Sequence, residues 1–113
     1  MARSERIVRE ALSLSFVQVE QTKQKSFGLE GEILTVFVDV PNFTSTVTAT
    51  CTISDVDGYK LFEQTGLAKN LVSKFTSGFP LSGMNTLTIT LSAALQSGDG
   101  GMVKVTIYAR RVG

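Results

Sequence analysis

Thr86-Leu87-Thr88-Ile89-Thr90-Leu91 and, beyond a glycine-rich break, Val103-Lys104-Val105-Thr106-Ile107-Tyr108 alternate apolar and polar residues without a slip. Side chains on a strand point to opposite faces in turn. Leu87, Ile89 and Leu91 therefore line one face, and Thr86, Thr88 and Thr90 the other. Val103, Val105 and Ile107 separate in the same way from Lys104, Thr106 and Tyr108. Between the two runs, Ser97-Gly98-Asp99-Gly100-Gly101 offers the positive φ values that a tight reversal needs. The spacing predicts an antiparallel pair with one buried face and one polar face, whose apolar side other strands must cover.

Those other strands lie upstream. Ile33 to Val40 is the most apolar run, with Leu34, Val36, Val38 and Val40 as its inner face and Ile33 and Phe37 on the outer one; Pro41-Asn42 ends it, since proline has no N–H for a ladder. Val47, Ala49, Cys51 and Ile53 make the inner face of a third strand, backed by Thr46, Thr48, Thr50 and Thr52. Ser54-Asp55-Val56-Asp57-Gly58 reads as a turn, after which Tyr59 to Glu63 pairs back as a hairpin. Glu20 to Lys25 is too polar for a core and reads as a loop. Residues 64–83 are the least regular: Leu67, Leu71, Val72 and Phe75 suit a short strand or a helical turn, and Phe79-Pro80-Leu81-Ser82-Gly83 suits a turn. Phe43, Phe75 and Phe79 fall in connections, where they either plug the ends of the fold or serve as sticky loop tips.

The N-terminus sets Arg3, Arg6 and Arg9 against Glu5 and Glu10. A helix started at Ser4 would stop almost as soon as it nucleated. An arm over residues 1–10 followed by a strand over about 11–20 is therefore preferred, with residues 11–113 as a single domain. Six to eight short strands separated by turns argue for an all-β fold. The expected form is an antiparallel β-sandwich, immunoglobulin-like or jelly-roll-like, carrying an N-terminal arm.

Composition narrows the function by exclusion. The 113 residues suit one domain, and eleven basic against ten acidic side chains leave a net charge of +1. Such balance gives no general pull toward nucleic acid or an anionic membrane, so neither is expected as a partner. No apolar run approaches a membrane span, and the N-terminus does not read as a signal peptide. One cysteine permits no internal disulfide, which suits a domain made in a reducing cytoplasm. The absence of histidine removes the usual general base and the commonest metal ligand. Cys51, mid-strand among apolar neighbours, reads as a small buried hydrophobe rather than a nucleophile. Asp39, Asp55, Asp57 and Asp99 fall at turns and strand ends, where aspartate caps local backbone. A calcium loop opened by Asp55-Val56-Asp57-Gly58 would need a bidentate glutamate at its twelfth position, and Gly66 stands there. Gly98-Asp99-Gly100-Gly101 is followed by no helix that would present its N-terminus to a phosphate. No catalytic, cofactor or metal site is expected.

What remains is surface. The threonine row Thr46 to Thr52 is either a solvated β-face or a flat binding ladder. Outward Ile33 and Phe37 would form an apolar patch of the kind that marks a protein contact. The expected interface is Arg3, Arg6, Ile7 and Arg9 of the arm together with Ile33, Phe37 and Tyr108. Deleting residues 1–9 and replacing Phe37 with serine would test it.

The arm Met1–Glu10, Pro80-Leu81-Ser82-Gly83 ahead of Leu87-Thr88-Ile89-Thr90-Leu91, and the final strand Val103 to Tyr108 carry a resemblance in layout. The chain resembles small all-β virion proteins of tailed bacteriophages, in particular head decoration or cement proteins. That resemblance implies a non-enzymatic virion protein, made in the host cytoplasm. It would bind other copies of itself and a larger assembly, the major capsid protein, and strengthen capsid contacts. Neck, tail and baseplate β-domains share the layout. An adhesion module that binds carbohydrate is the reading from another class, and the lack of tryptophan beside only Tyr59 and Tyr108 weighs against it.

Overall fold

The computed structural model describes residues 5–76 and 78–112. These form seven strands: β1 (Glu5–Val17), β2 (Thr22–Val40), β3 (Thr48–Ser54), β4 (Lys60–Ala68), β5 (Leu71–Thr76), β6 (Pro80–Leu91) and β7 (Gly100–Val112). All pairings are antiparallel, in the order β1-β7-β2-β6-β3-β4, with β5 also on β2. The all-β antiparallel sandwich expected from the alternation is what the chain forms, and of the two forms expected it is jelly-roll-like.

The long strand β2 joins its two halves. Thr22 to Glu32 pairs with β6, and Glu32 to Asp39 pairs with β7. Glu32 meets Pro80 on one side and Arg110 on the other, so here the strand passes from one half to the next. One half is β1, β7, the end of β2 and β5. The other is the start of β2 with β6, β3 and β4. Their apolar faces close on one core, in which Val36, Val38, Val105 and Ile107 of the first half and Ile53, Leu87, Ile89 and Leu91 of the second are fully or almost fully buried. The inner face expected for β3 is buried throughout, from Val47 through Ala49 and Cys51 to Ile53.

Several expectations are corrected. β6 and β7 have the predicted faces but are not a hairpin, because β2 lies between them. Residues 92–99 cross over instead of reversing. Leu95 anchors them in the core, and Ser92 N–H and Leu95 N–H donate to the Thr48 and Glu20 carbonyls at 2.8 and 3.2 Å. The polar loop expected over Glu20–Lys25 is strand from Thr22. Thr22 and Gln24 face outward beside Thr90 and Thr88, whereas Lys23 and Lys25 stand opposite Ile89 and Leu87 at the mouth of the core, where Lys23 pairs with Glu20 at 2.6 Å. Of the alternatives for residues 64–83 the strand is realised, and β6 begins at Pro80, where a missing N–H costs least. Of the arm expected over 1–10, residues 1–4 lie outside the described residues, and the rest is strand from Glu5, held to β7 through pairs such as Ile7 with Arg110 and Arg9 with Tyr108.

Ile33 is fully buried, not outward. Opposite β7, Ile33 pairs with Ala109 and Thr35 with Tyr108, so Leu34 is an extra residue in a β-bulge. A bulge shifts the two-residue alternation by one. Ile33 before it and Val36 after it therefore both point inward.

Of the connecting aromatics, Phe43 plugs the core against Phe16, edge to face at 6.4 Å. Phe75 and Phe79 are partly buried around Phe62, with ring centroids 5.7 and 5.6 Å away.

Candidate interaction surfaces

Register assembles two outer surfaces. On the β1–β7–β2–β5 half, Arg9 lies opposite Tyr108, Tyr108 opposite Thr35, and Thr35 opposite Thr76. The next row runs Ala11, Thr106, Phe37 and Lys74. The Phe37 and Tyr108 rings meet edge to face at 6.0 Å, and the Lys74 ammonium sits 6.0 Å from the Phe37 centroid. Each ring half-covers the other, leaving an aromatic centre flanked by Arg9 and Lys74. Beside it, Ile7 is 56% exposed, and Arg110 lies 3.5 Å from Glu32. A rigid aromatic with a polar tip next to arginine is the composition that protein contacts favour.

The residues expected at an interface are thus partly brought together. Arg9, Phe37 and Tyr108 share this surface, and Ile7 borders it. Arg6 is exposed on the other side of β1, and Ile33 is in the core. Arg3 lies outside the described residues. The sequence reading gave no weight to Val17, Val19 and Met102, which are exposed near the same end of β1 and β7. Nothing in their spacing marks them; Ser15 opposite Met102 and Val17 opposite Gly100 emerge only with the register.

The second surface is a groove of about 350 Å³ on the outside of β3, β4 and β6, lined by Thr50, Thr52, Ser54, Lys60, Glu63, Thr88 and Thr90. Thr50 faces Thr90 and Thr52 faces Thr88 across the β3–β6 ladder. Thr52 donates to Glu63 at 3.1 Å, and Lys60 pairs with Glu63 at 3.1 Å. Lys60 first, and Thr52 after it, hold the Glu63 carboxyl below the usual carboxylate range. The predicted threonine row is therefore split: Thr46 and Thr48 are exposed, whereas Thr52 is buried under its hydrogen bond. The groove presents hydroxyls and one ion pair, an array suited to polar contact.

The weighed reactive groups are committed elsewhere. Cys51 is buried in the core, and desolvation pushes its thiol up to about 12, so it stays protonated. Asp55 accepts from Asp57 N–H and Tyr59 N–H, both at 2.9 Å, which closes the hairpin turn. Asp99 ties two loops together, accepting from Thr44, Ser45 and Gly100 N–H at 2.9, 2.7 and 2.8 Å. The Ser45 hydroxyl and these N–H groups hold its carboxyl at about 2, below an ordinary 3.8.

A pKa lowered by folding gives stability that is present above the unfolded value and lost as pH falls through the folded one. The melting temperature should therefore drop as pH falls from 3.8 toward about 2. Asp99→Asn should melt lower than the parent at neutral pH, by more than about 5 °C. That gap should close in acid. A calorimetric gap unchanged between neutral pH and pH 2 would mean that Asp99 is not the clamp.

No family model and no curated protein matches the sequence. Solved structures do. A chain of the Bacillus endospore appendages, described as disulfide-linked pili, superimposes with a TM-score of 0.56 at 19% identity, over 94% of this chain and 89% of that one. A chain of the acid-stable capsid of Helicobacter pylori bacteriophage KHP30 superimposes with a TM-score of 0.53 at 12% identity, over 97% of both chains. At these identities the likeness is one of fold.

Proposed function

We propose that the chain is a non-enzymatic virion structural protein, a capsid decoration or cement protein that self-associates and stabilises contacts between major-capsid subunits. The observation that carries this reading is the end-to-end match to a phage capsid chain of nearly the same length. That match pairs the chain with a domain of its own size. The outer surface fits the role: Arg9, Phe37 and Tyr108 form a preordered aromatic contact on a sheet that needs no rearrangement to bind. Its place would be the virion, after synthesis in the host cytoplasm.

A pilus-like subunit is the second reading, favoured by the endospore-appendage likeness. Linkage by disulfide has no counterpart in Cys51, which is buried and held as a thiol.

Because β1 already pairs with β7 from Glu5, deleting residues 1–9 would bare the β7 edge, so point substitutions make the cleaner test. Light scattering on the purified chain should give a mass above one subunit. Phe37→Ser with Tyr108→Ser should lower that mass while leaving the circular dichroism of the fold intact. A folded double variant that assembles like the parent would reject the surface.

A further inference from the structure

We propose that β1 pairs antiparallel with β1 of a second copy, about a two-fold axis through Val8, setting Arg6 of each copy opposite Glu10 of the other. This rests on the assembly reading above and names its partner and register. The strand order leaves β1 at an edge, with β7 on one side and no strand on the other among the described residues. The other edges are blunted, the first half of β2, which pairs with β6 alone, by Lys23 and Lys25 and by Gly31 at φ 122. β4 is interrupted by two register shifts against β3, with Gly66 at φ 68, and β5 has six residues. β1 runs thirteen residues against β7 without a register shift. A long, regular edge offers alternate N–H and C=O groups to another strand, and natural proteins block such edges unless they use them.

Charge is the remaining block, and here it is self-complementary. Two sheets joined by a two-fold axis perpendicular to them match inner face to inner face only when residues of like parity oppose. An axis on Val8 puts Val8 against Val8, with Arg6 and Glu10 paired on either side, all on one face. Arg6 is exposed, Glu10 is half-buried, and neither makes an ion pair among the described residues. Val8 already packs against the core, so the pair would extend the apolar face across the axis. An axis on Ile7 would set Arg6 against Val8 on the inner face, whereas the axis on Val8 leaves its own cation-to-apolar pair, Ile7 with Arg9, on the exposed outer face. Opposite charges directly across a ladder stabilise it and like charges destabilise it.

The test is sedimentation equilibrium on the full chain. Glu10→Arg places arginine against Arg6 twice and should weaken dimerisation about tenfold. Adding Arg6→Glu should restore it. Val8→Cys should oxidise to a covalent dimer, because residues on the axis lie within disulfide span, whereas Ala11→Cys should not. Buried Cys51 contributes no background. If the parent assembles and Glu10→Arg has no effect, or the double variant fails to recover, the edge register is overturned and the assembly reading stands. A parent that stays monomeric up to millimolar concentration overturns both.

Discussion

Replacing Gly31 with alanine should remove about 3 kcal/mol or more of folding stability. Gly31 has φ +122, a conformation that side chains rarely adopt. A Cβ built there would stand 2.2 Å from the Arg110 carbonyl oxygen and 3.1 Å from its carbon. These are backbone atoms, which cannot swing aside like the end of a side chain. The position is also the passage of β2 from β6 to β7, where Glu32 pairs with both. Moving the strand to make room would loosen the joint that holds the two halves face to face. Gly28, three residues earlier on the same strand, has nothing within 4 Å of the equivalent Cβ, so Gly28→Ala should change stability by less than about 1 kcal/mol. Urea titration of the pair separates the roles. Equal losses would show that the joint is not where the strain lies.

Phe16→Ala should cost about 3–5 kcal/mol, the range for emptying a buried aromatic site. Phe16 is 1% exposed and meets Phe43 edge to face at 6.4 Å. It lies opposite Gly101, where a Cβ would come 2.8 Å from Pro41 and 3.1 Å from Phe43. The site is packed from the strand, the neighbouring strand and the loop together, so collapse around the cavity is limited. Phe16→Leu keeps most of the volume and should cost under about 1.5 kcal/mol. A Phe16→Ala loss below about 1 kcal/mol, with an unchanged denaturant slope, would mean that the Phe43 loop does not close this end of the core.

How far the sequence carried differs from strand to strand. The faces of β3, β6 and β7 follow from two-residue alternation, and their buried apolar residues match it, Thr52 being buried from the outer face by its contact with Glu63. Which strands neighbour one another did not follow, because pairing is a long-range choice. Glycines between β6 and β7 suggested a hairpin, yet Leu95 finds its place in the core by carrying the connection across. Ile33 shows a different limit. One extra residue at Leu34 inverts the parity of everything before it, and nothing in Ile33-Leu34-Thr35-Val36 announces the bulge. The thirteen-residue span of β1 was missed because its charged first residues are stabilised by β7, not by burial of their own. Arg9, Phe37 and Tyr108 were each readable as surface residues. Their convergence depends on β7 lying between β1 and β2. The groove likewise joins threonines of β3 and β6 that alternation exposes but only register brings together.

The central proposal is that the chain's outer faces are contact surfaces, and amide hydrogen exchange at low and high protein concentration tests it most directly. Assembly should add protection in β1 and in the segments of β2 and β7 that carry Phe37 and Tyr108, with the core unchanged. Identical exchange at every concentration, across all seven strands, would contradict it.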